Sequence, residues 1–437
     1  MSKKGRLIGL LCITVLCSQV VCAQTRQMGI EELFRLADEQ SKSIQTYRTG
    51  AEAAEEALKA AKAQRLPDVN VSLSASYLGN GKLWDRDFGN AMTVDIPHFG
   101  NNFALEAQQV VYAGGAVSSG IRQAELGRVL AELDLQKNVQ EIRFLQAGHY
   151  LNLYKLDNQI RVLQKNLELT EEVIANMKAR REQGTVLKND ITRYELQKEQ
   201  LNLQLSKVKD ARQIANHQLV TTLHLPEGTE IAPDTSLLER QILTLAEDDW
   251  QNMAAGNNIL LKQSQAAIQM NEQKVKQERS ERLPHISIVT ADHLDGPITI
   301  EVPALDNNFN YWYIGIGIKY NISSLFKNNK KLKQARLNVR QAQERHQLAQ
   351  EQEENAVQEG YVNFLTAFTD LRTQENSVRL ADENYNVTEN RYKNEMALLT
   401  DMLDASNMKL TADLGLVNAR INILYSYYKM KYTTHTL

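Results

Sequence analysis

Lys62-Ala63-Gln64-Arg65-Leu66-Pro67, followed by Asp68-Val69-Asn70-Val71, returns as Arg279-Ser280-Glu281-Arg282-Leu283-Pro284, followed by His285-Ile286-Ser287-Ile288. In each copy a helix-compatible run is stopped by Arg-Leu-Pro, because proline cannot continue a helix. A short alternating strand follows, then an irregular loop, a second strand and a very long helical stretch. The residue match is weak but the order of elements agrees, so the chain reads as a duplication: a first repeat over 24–235 and a second over 236–437.

Ahead of the first repeat, Lys3, Lys4 and Arg6 precede an apolar run from Leu7 to Val21, and Val21-Cys22-Ala23 offers a processing site before Gln24. Residues 1–23 therefore read as a secretory signal peptide. Val21 stands where a lipoprotein needs a small residue before its cysteine. All three cysteines, Cys12, Cys17 and Cys22, fall in this segment, so the remainder offers no disulfide and no thiolate ligand. With 50 Lys and Arg against 53 Asp and Glu, the chain lacks the basic excess that nucleic acid requires. The Lys327–Lys333 cluster reads as a solvated helix start.

The seven prolines leave two gaps of about 130 residues, Pro97 to Pro226 and Pro303 to the C-terminus. Within the first, Ile160, Leu163, Leu167, Ile174 and Met177 keep a three-four rhythm, resumed by Ile191, Tyr194, Leu201, Leu205 and Val208. In the second, Leu410, Leu414, Val417, Ile421, Leu424 and Tyr428 do the same. Such periodicity implies helices packed as coiled coils. Breaks at 181–190 and 392–401 turn each gap into a helical hairpin, with Gly184 closing one helix and Asp190 or Thr400 opening the next.

Strands are expected at 68–78, 103–112, 285–291 and 311–322. Val69, Val71, Leu73, Ala75 and Tyr77 alternate with polar residues; Trp312, Ile314, Ile316, Ile318 and Tyr320 alternate with Tyr313, Gly315, Gly317 and Lys319. The strands are long enough to cross an outer membrane when tilted, and Tyr77, Tyr112, Tyr311, Trp312, Tyr313 and Tyr320 are expected to form its interfacial girdle. Four strands cannot close a barrel, and an open edge in lipid leaves backbone groups unpaired. Three chains would pool twelve strands around a lumen.

The paired Arg-Leu-Pro elements, Val110-Val111-Tyr112-Ala113-Gly114-Gly115 and Thr400-Asp401-Met402-Leu403-Asp404-Ala405, taken in this order, resemble the TolC-type outer-membrane efflux proteins across residues 24–437. The resemblance implies a mainly α fold in which long coiled-coil hairpins form a trimeric α-barrel and four strands per chain enter a twelve-stranded membrane β-barrel. It implies a passive exit duct of a tripartite efflux or type I secretion system, located in the outer membrane and reaching into the periplasm. The partners would be two further copies, outer-membrane lipid, a periplasmic adaptor protein and, indirectly, an inner-membrane transporter.

It also implies roles for residues. Asp401 and Asp404 match an acidic constriction that attracts cations and repels anions. Tyr392 and Asp190 match a hydrogen bond that holds the closed end shut. Ala397 stands where a second, arginine-based lock is found, and Glu395 replaces a glycine that Gly184 keeps. Gly184, Thr185, Val186 and Leu187, with Met396, Ala397, Leu398 and Leu399, would face the adaptor. The chain shows no phosphate-binding loop, nucleophile motif or paired metal-ligand spacing, so no enzyme activity, metal or cofactor is expected. The alternative is a periplasmic coiled-coil scaffold without a pore.

Overall fold

The computed structural model describes residues 25–234 and 245–437. The expected signal peptide with its three cysteines, and the expected repeat boundary, lie outside the described residues. The chain runs β1 (Thr25–Met28), α1 (Ile30–Gln40), α2 (Lys42–Ala63), β2 (Asp68–Tyr77), β3 (Gly81–Leu83), β4 (Met92–Val94), β5 (Phe99–Tyr112), α3 (Ala116–Glu182), α4 (Lys188–Thr222), β6 (Glu230–Pro233), α5 (Glu247–Asn257), α6 (Ile259–Ser280), β7 (His285–Gly296), β8 (Phe309–Lys319), α7 (Ser324–Lys393) and α8 (Leu399–Thr433). No described helix is long and apolar enough to cross a membrane. Two compact units emerge, and each draws on both sequence repeats.

The first unit comprises the described residues within Met1–Lys42, Ile142–Thr244 and Val362–Lys429. Its hairpins are held by the apolar rhythm: Leu163, Leu201, Leu205 and Leu410 are buried together, with Ile160, Leu167, Val208 and Leu414 packed against them. Nearer the tips, Ile174, Met177, Ile191, Tyr194, Tyr385, Leu399 and Met402 form a second cluster. Ion pairs Lys178 to Glu195 and Lys198 to Glu171 bridge α3 and α4 at 3.0 and 2.7 Å. Exposed pairs of this kind add under about 1 kcal/mol each, so the apolar seam carries the hairpin.

The first unit also holds a parallel pair, β1 with β6, in register from Thr25 with Glu230 to Met28 with Pro233. Tyr150 ties it down: its hydroxyl donates to the Met28 carbonyl at 2.7 Å and accepts from the Asp234 amide at 2.9 Å. Burial pushes this phenol up to about 12. The unfolded phenol ionises near 10, so this group's contribution to stability is intact below pH 10 and falls as pH rises toward 12. Tyr150→Phe should remove part of that alkaline loss, read from melting temperatures between pH 9 and 11.5.

The second unit comprises Ser43–Glu141, Leu245–Tyr361 and Met430–Leu437. Its centre is an antiparallel sheet in the order β2-β5-β7-β8, so β2 and β8 are both edges. Cross-strand partners share a face. Val69, Val71 and Leu73 therefore align with Ala107, Leu105 and Phe103 of β5, while Ile286, Ile288 and Thr290 of β7 align with Ile318, Ile316 and Ile314 of β8. This apolar face lies open, with Leu73 78% and Trp312 73% exposed. The opposite face carries Asn70, Ser72, Ser74, Gly315 and Gly317.

Two of the aromatics expected in the girdle are not on the apolar face. Tyr311 and Tyr313 lie two and four positions along β8 from Phe309, pair with His293 and Ala291, and point to the small-residue side. Period-two alternation puts them opposite Trp312. Tyr320 lies just beyond the end of β8. The strands also reach further than expected at one end, to Phe99 in β5 and to Gly296 in β7.

The two Arg-Leu-Pro corners fold alike. Leu66 N–H donates to Ala63 at 2.8 Å and Leu283 N–H to Ser280 at 3.0 Å, one turn before each strand begins. Gly114 explains the Gly-Gly that follows β5. It has φ +60, and a Cβ there would come within 2.9 Å of Leu283 Cβ and 3.0 Å of the Ser280 carbonyl. Gly114→Ala therefore meets both a left-handed backbone and the corner of the second repeat, and should destabilise the fold by roughly 1–3 kcal/mol. Thermal unfolding of the extracted protein checks this, with Gly127→Ala, which has open space around it, as the control.

Candidate functional site: the hairpin tips

Both tips close by the same hydrogen bonds. In the first, Thr185 N–H reaches back to the Arg180 carbonyl at 3.1 Å and Gly184 N–H to Arg181 at 2.9 Å; in the second, Met396 N–H reaches Arg391 at 2.8 Å and Glu395 N–H reaches Tyr392 at 3.1 Å. This pattern needs a left-handed residue after the helix. Gly184 supplies φ +80 without a steric cost, whereas Glu395 adopts φ 64 with a side chain attached.

The helices that return from the tips begin one or two residues earlier than Asp190 or Thr400. Their N-cap positions are Leu187 and Leu398, which have no capping side chain because leucine has no acceptor. Asp401 compensates at the second tip, its carboxylate accepting the Leu398 N–H at 3.0 Å. Asp401 and Asp404 are both exposed and, three apart, share one face of α8.

Tyr392 and Asp190 come near one another, but no hydrogen bond joins them within the chain. Tyr392 instead meets Arg180 of α3. The guanidinium sits 5.7 Å from the ring centroid, donates to the Tyr392 carbonyl at 3.5 Å and pairs with Glu395 Oε1 at 3.0 Å. Burial raises the Tyr392 phenol above its ordinary range, Arg180 opposes that shift and Asp190 reinforces it. The tip thus has an arginine link from the first hairpin, although Ala397 leaves none from the second. Arg180 escaped the sequence reading because its partners lie in the other repeat. The one visible signal was its repeat counterpart, Arg391, which bonds its own tip carbonyl at Met396.

Of the residues expected to face an adaptor, Gly184, Thr185, Leu187, Met396 and Leu398 are exposed, Leu187 at 72% and Leu398 at 70%. Leu399 is not: it is 8% exposed and packs in the cluster of Ile174, Met177 and Tyr194. Val186 packs against the same cluster and Ala397 is half-buried. The hairpins use Leu399 and Val186 for their own core.

The sequence profile of the outer membrane efflux protein family matches residues 33–223 and 250–428. The chain belongs to this family. Solved structures with the same fold include the outer membrane protein VceC from Vibrio cholerae, at 15% identity and TM-score 0.77 over 93% of this chain and 96% of that one. CusC matches at 14% identity and TM-score 0.79, over 93% and 91%. The open state of the Neisseria gonorrhoeae MtrE outer membrane channel matches at 16% identity and TM-score 0.74, over 93% and 88%. No curated protein sequence matches significantly. The fold and family are those of outer-membrane efflux channels, not of enzymes.

Arg180→Ala removes a cation–π contact of about 0.5–1 kcal/mol and a half-exposed ion pair worth less. Amide hydrogen exchange in the 392–401 turn should rise several-fold, while exchange around Leu163 and Leu205 stays unchanged.

Proposed function

We propose that this outer-membrane efflux channel is a homotrimeric, passive exit duct of a tripartite efflux or type I secretion system. The observation that carries the reading is the four-stranded sheet with an exposed apolar face and two free edges, β2 and β8. A sheet edge in hydrocarbon costs several kcal/mol per unpaired group, and joining β8 of one copy to β2 of the next removes every edge. A scaffold without a pore has no use for such a face.

In this reading the helical hairpins extend into the periplasm and the two repeats, 24–235 and 236–437, alternate around the duct. Asp401 and Asp404 from three chains form the constriction, which concentrates cations and excludes anions. Tyr392 and Asp190 of adjacent hairpins hold it closed. Gly184, Thr185, Leu187, Met396 and Leu398 form the small and apolar surface that a periplasmic adaptor grips. The adaptor opens the tip by binding the open state better than the closed one, and the inner-membrane transporter supplies energy and selection.

Single-channel recording in planar bilayers tests this. The wild type should give a small, cation-selective conductance blocked by divalent cations, and Asp401→Ala/Asp404→Ala should lose the block and much of the selectivity. A folded, membrane-extracted protein that is monomeric and passes no current would sink the duct in favour of the scaffold.

A further inference from the structure

On its small-residue face the sheet carries mainly Ser, Asn, Ala and Gly, with single Val, Gln and charged residues among them, and aromatic rings gather at one place. There Phe309, Tyr311, His293 and Tyr313 form a continuous stack: Phe309 to Tyr311 at 5.4 Å and 27°, Tyr311 to His293 at 5.1 Å and 17°, and His293 to Tyr313 at 6.2 Å and 14°. The rings of Phe309, Tyr311 and Tyr313 remain exposed, whereas His293 is largely covered, its side chain 15% exposed. Interfacial anchoring does not account for them, since they face away from Trp312 and the isoleucines.

The charge around the stack has one sign. Glu106 Oε1 lies 4.0 Å from His293 Nε2, and Asp295, fixed by the Asn102 amide, pairs across the sheet with Phe309. Apart from His293 in the stack itself, the basic residues of this face, His285 and Lys319, pair with each other at the opposite end of the strands. Exposed aromatic rings beside carboxylates attract a planar cation twice, by stacking and by charge.

We infer that Phe309, Tyr311, His293 and Tyr313, with Glu106, form a weak binding station for planar aromatic monocations on the inner wall of the β-barrel. The inference rests on the proposed trimer, which turns the small-residue face inward. Side chains on that face tune what a barrel passes. Three such stations near the loop-connected ends of β7 and β8 would hold an aromatic cation just before release, giving the duct a preference of its own beyond that set by the transporter.

The test uses the detergent-solubilised full-length protein with ethidium as probe, read by fluorescence polarisation, alongside conductance of the same preparation. Ethidium should bind and saturate. Tyr311→Leu/Tyr313→Leu, which keeps bulk and removes both rings, should weaken binding about tenfold or more, and Glu106→Gln about threefold, in keeping with cation–π and charge contributions near 1 kcal/mol. Tyr311→Phe/Tyr313→Phe should bind as wild type and shows that the strand still folds.

Equal affinity in the Leu double variant would overturn the site. So would competition by ring-free tetramethylammonium as effective as by ethidium, or equal binding of naphthalenesulfonate. A wild type that conducts but does not bind ethidium removes the station and leaves the duct. Ethidium bound by a protein that forms no channel overturns the duct and, with it, the luminal placement. In the Asp401→Ala/Asp404→Ala background, where block at the tip is gone, ethidium added from the loop side should still reduce the current; no reduction counts against the station.

Discussion

A peptide group in hydrocarbon has only other peptide groups to bond with, and this constraint organises the second unit. The sheet places two strands from each repeat side by side, β2 with β5 and β7 with β8, joined through β5 and β7. The strands share one mainly apolar face and one mainly small or polar face, the chief exceptions being Asp292 and Gln109 on the first and the rings of Phe309, Tyr311 and Tyr313 on the second, so in the proposed barrel the sheet separates lipid from water. In the proposed trimer its two open edges are closed by further copies. Duplication of the chain supplies half of this economy, since a single ancestral hairpin would need twice as many copies to close the same ring.

The hairpins of the first unit follow a different rule. Their stability comes from a narrow apolar seam, and the tips must end that seam without unravelling it. Hence Leu399 and Val186 are drawn into the cluster around Tyr194 and Tyr385 instead of being displayed. Burial raises both phenols above their ordinary range, Tyr385 to about 12 and Tyr194 in the same direction. The left-handed turn at Glu395 is the local exception. A side chain there costs about 1 kcal/mol or more, and the Arg180 ion pair offsets part of it while tying α3 to the end of α7.

The duplication, the strands, their apolar faces and the hairpin breaks were all legible, because each is a periodic or punctuated pattern in contiguous residues. The parallel pairing of β1 with β6 was not. Each strand is four residues long and its partner lies about two hundred positions away, so no local pattern announces it. Tyr311 and Tyr313 show a subtler failure: their residue type suggested a membrane interface, while the alternation they sit in already assigned them to the other face. Parity was the stronger signal. At the tips, Asp401, Asp404, Tyr392 and Asp190 could be singled out as candidates, but Arg180 could not, since its contacts with Tyr392 and Glu395 exist only once the two repeats are brought together.

At Asp401 the structural role and the proposed constriction role are compatible. Its carboxylate accepts the Leu398 N–H, and the first turn of α8 presents the positive end of the helix dipole beside it. Both favour negative charge at that spot and restrict the rotamer, so the group is held in place before any ion arrives. Asp404, one turn further along, has no such bond, and its side chain is free to reorient. In the proposed trimer, where like charges would crowd round an axis and repel, an acid that caps its own helix would be held in place by the helix N-terminus.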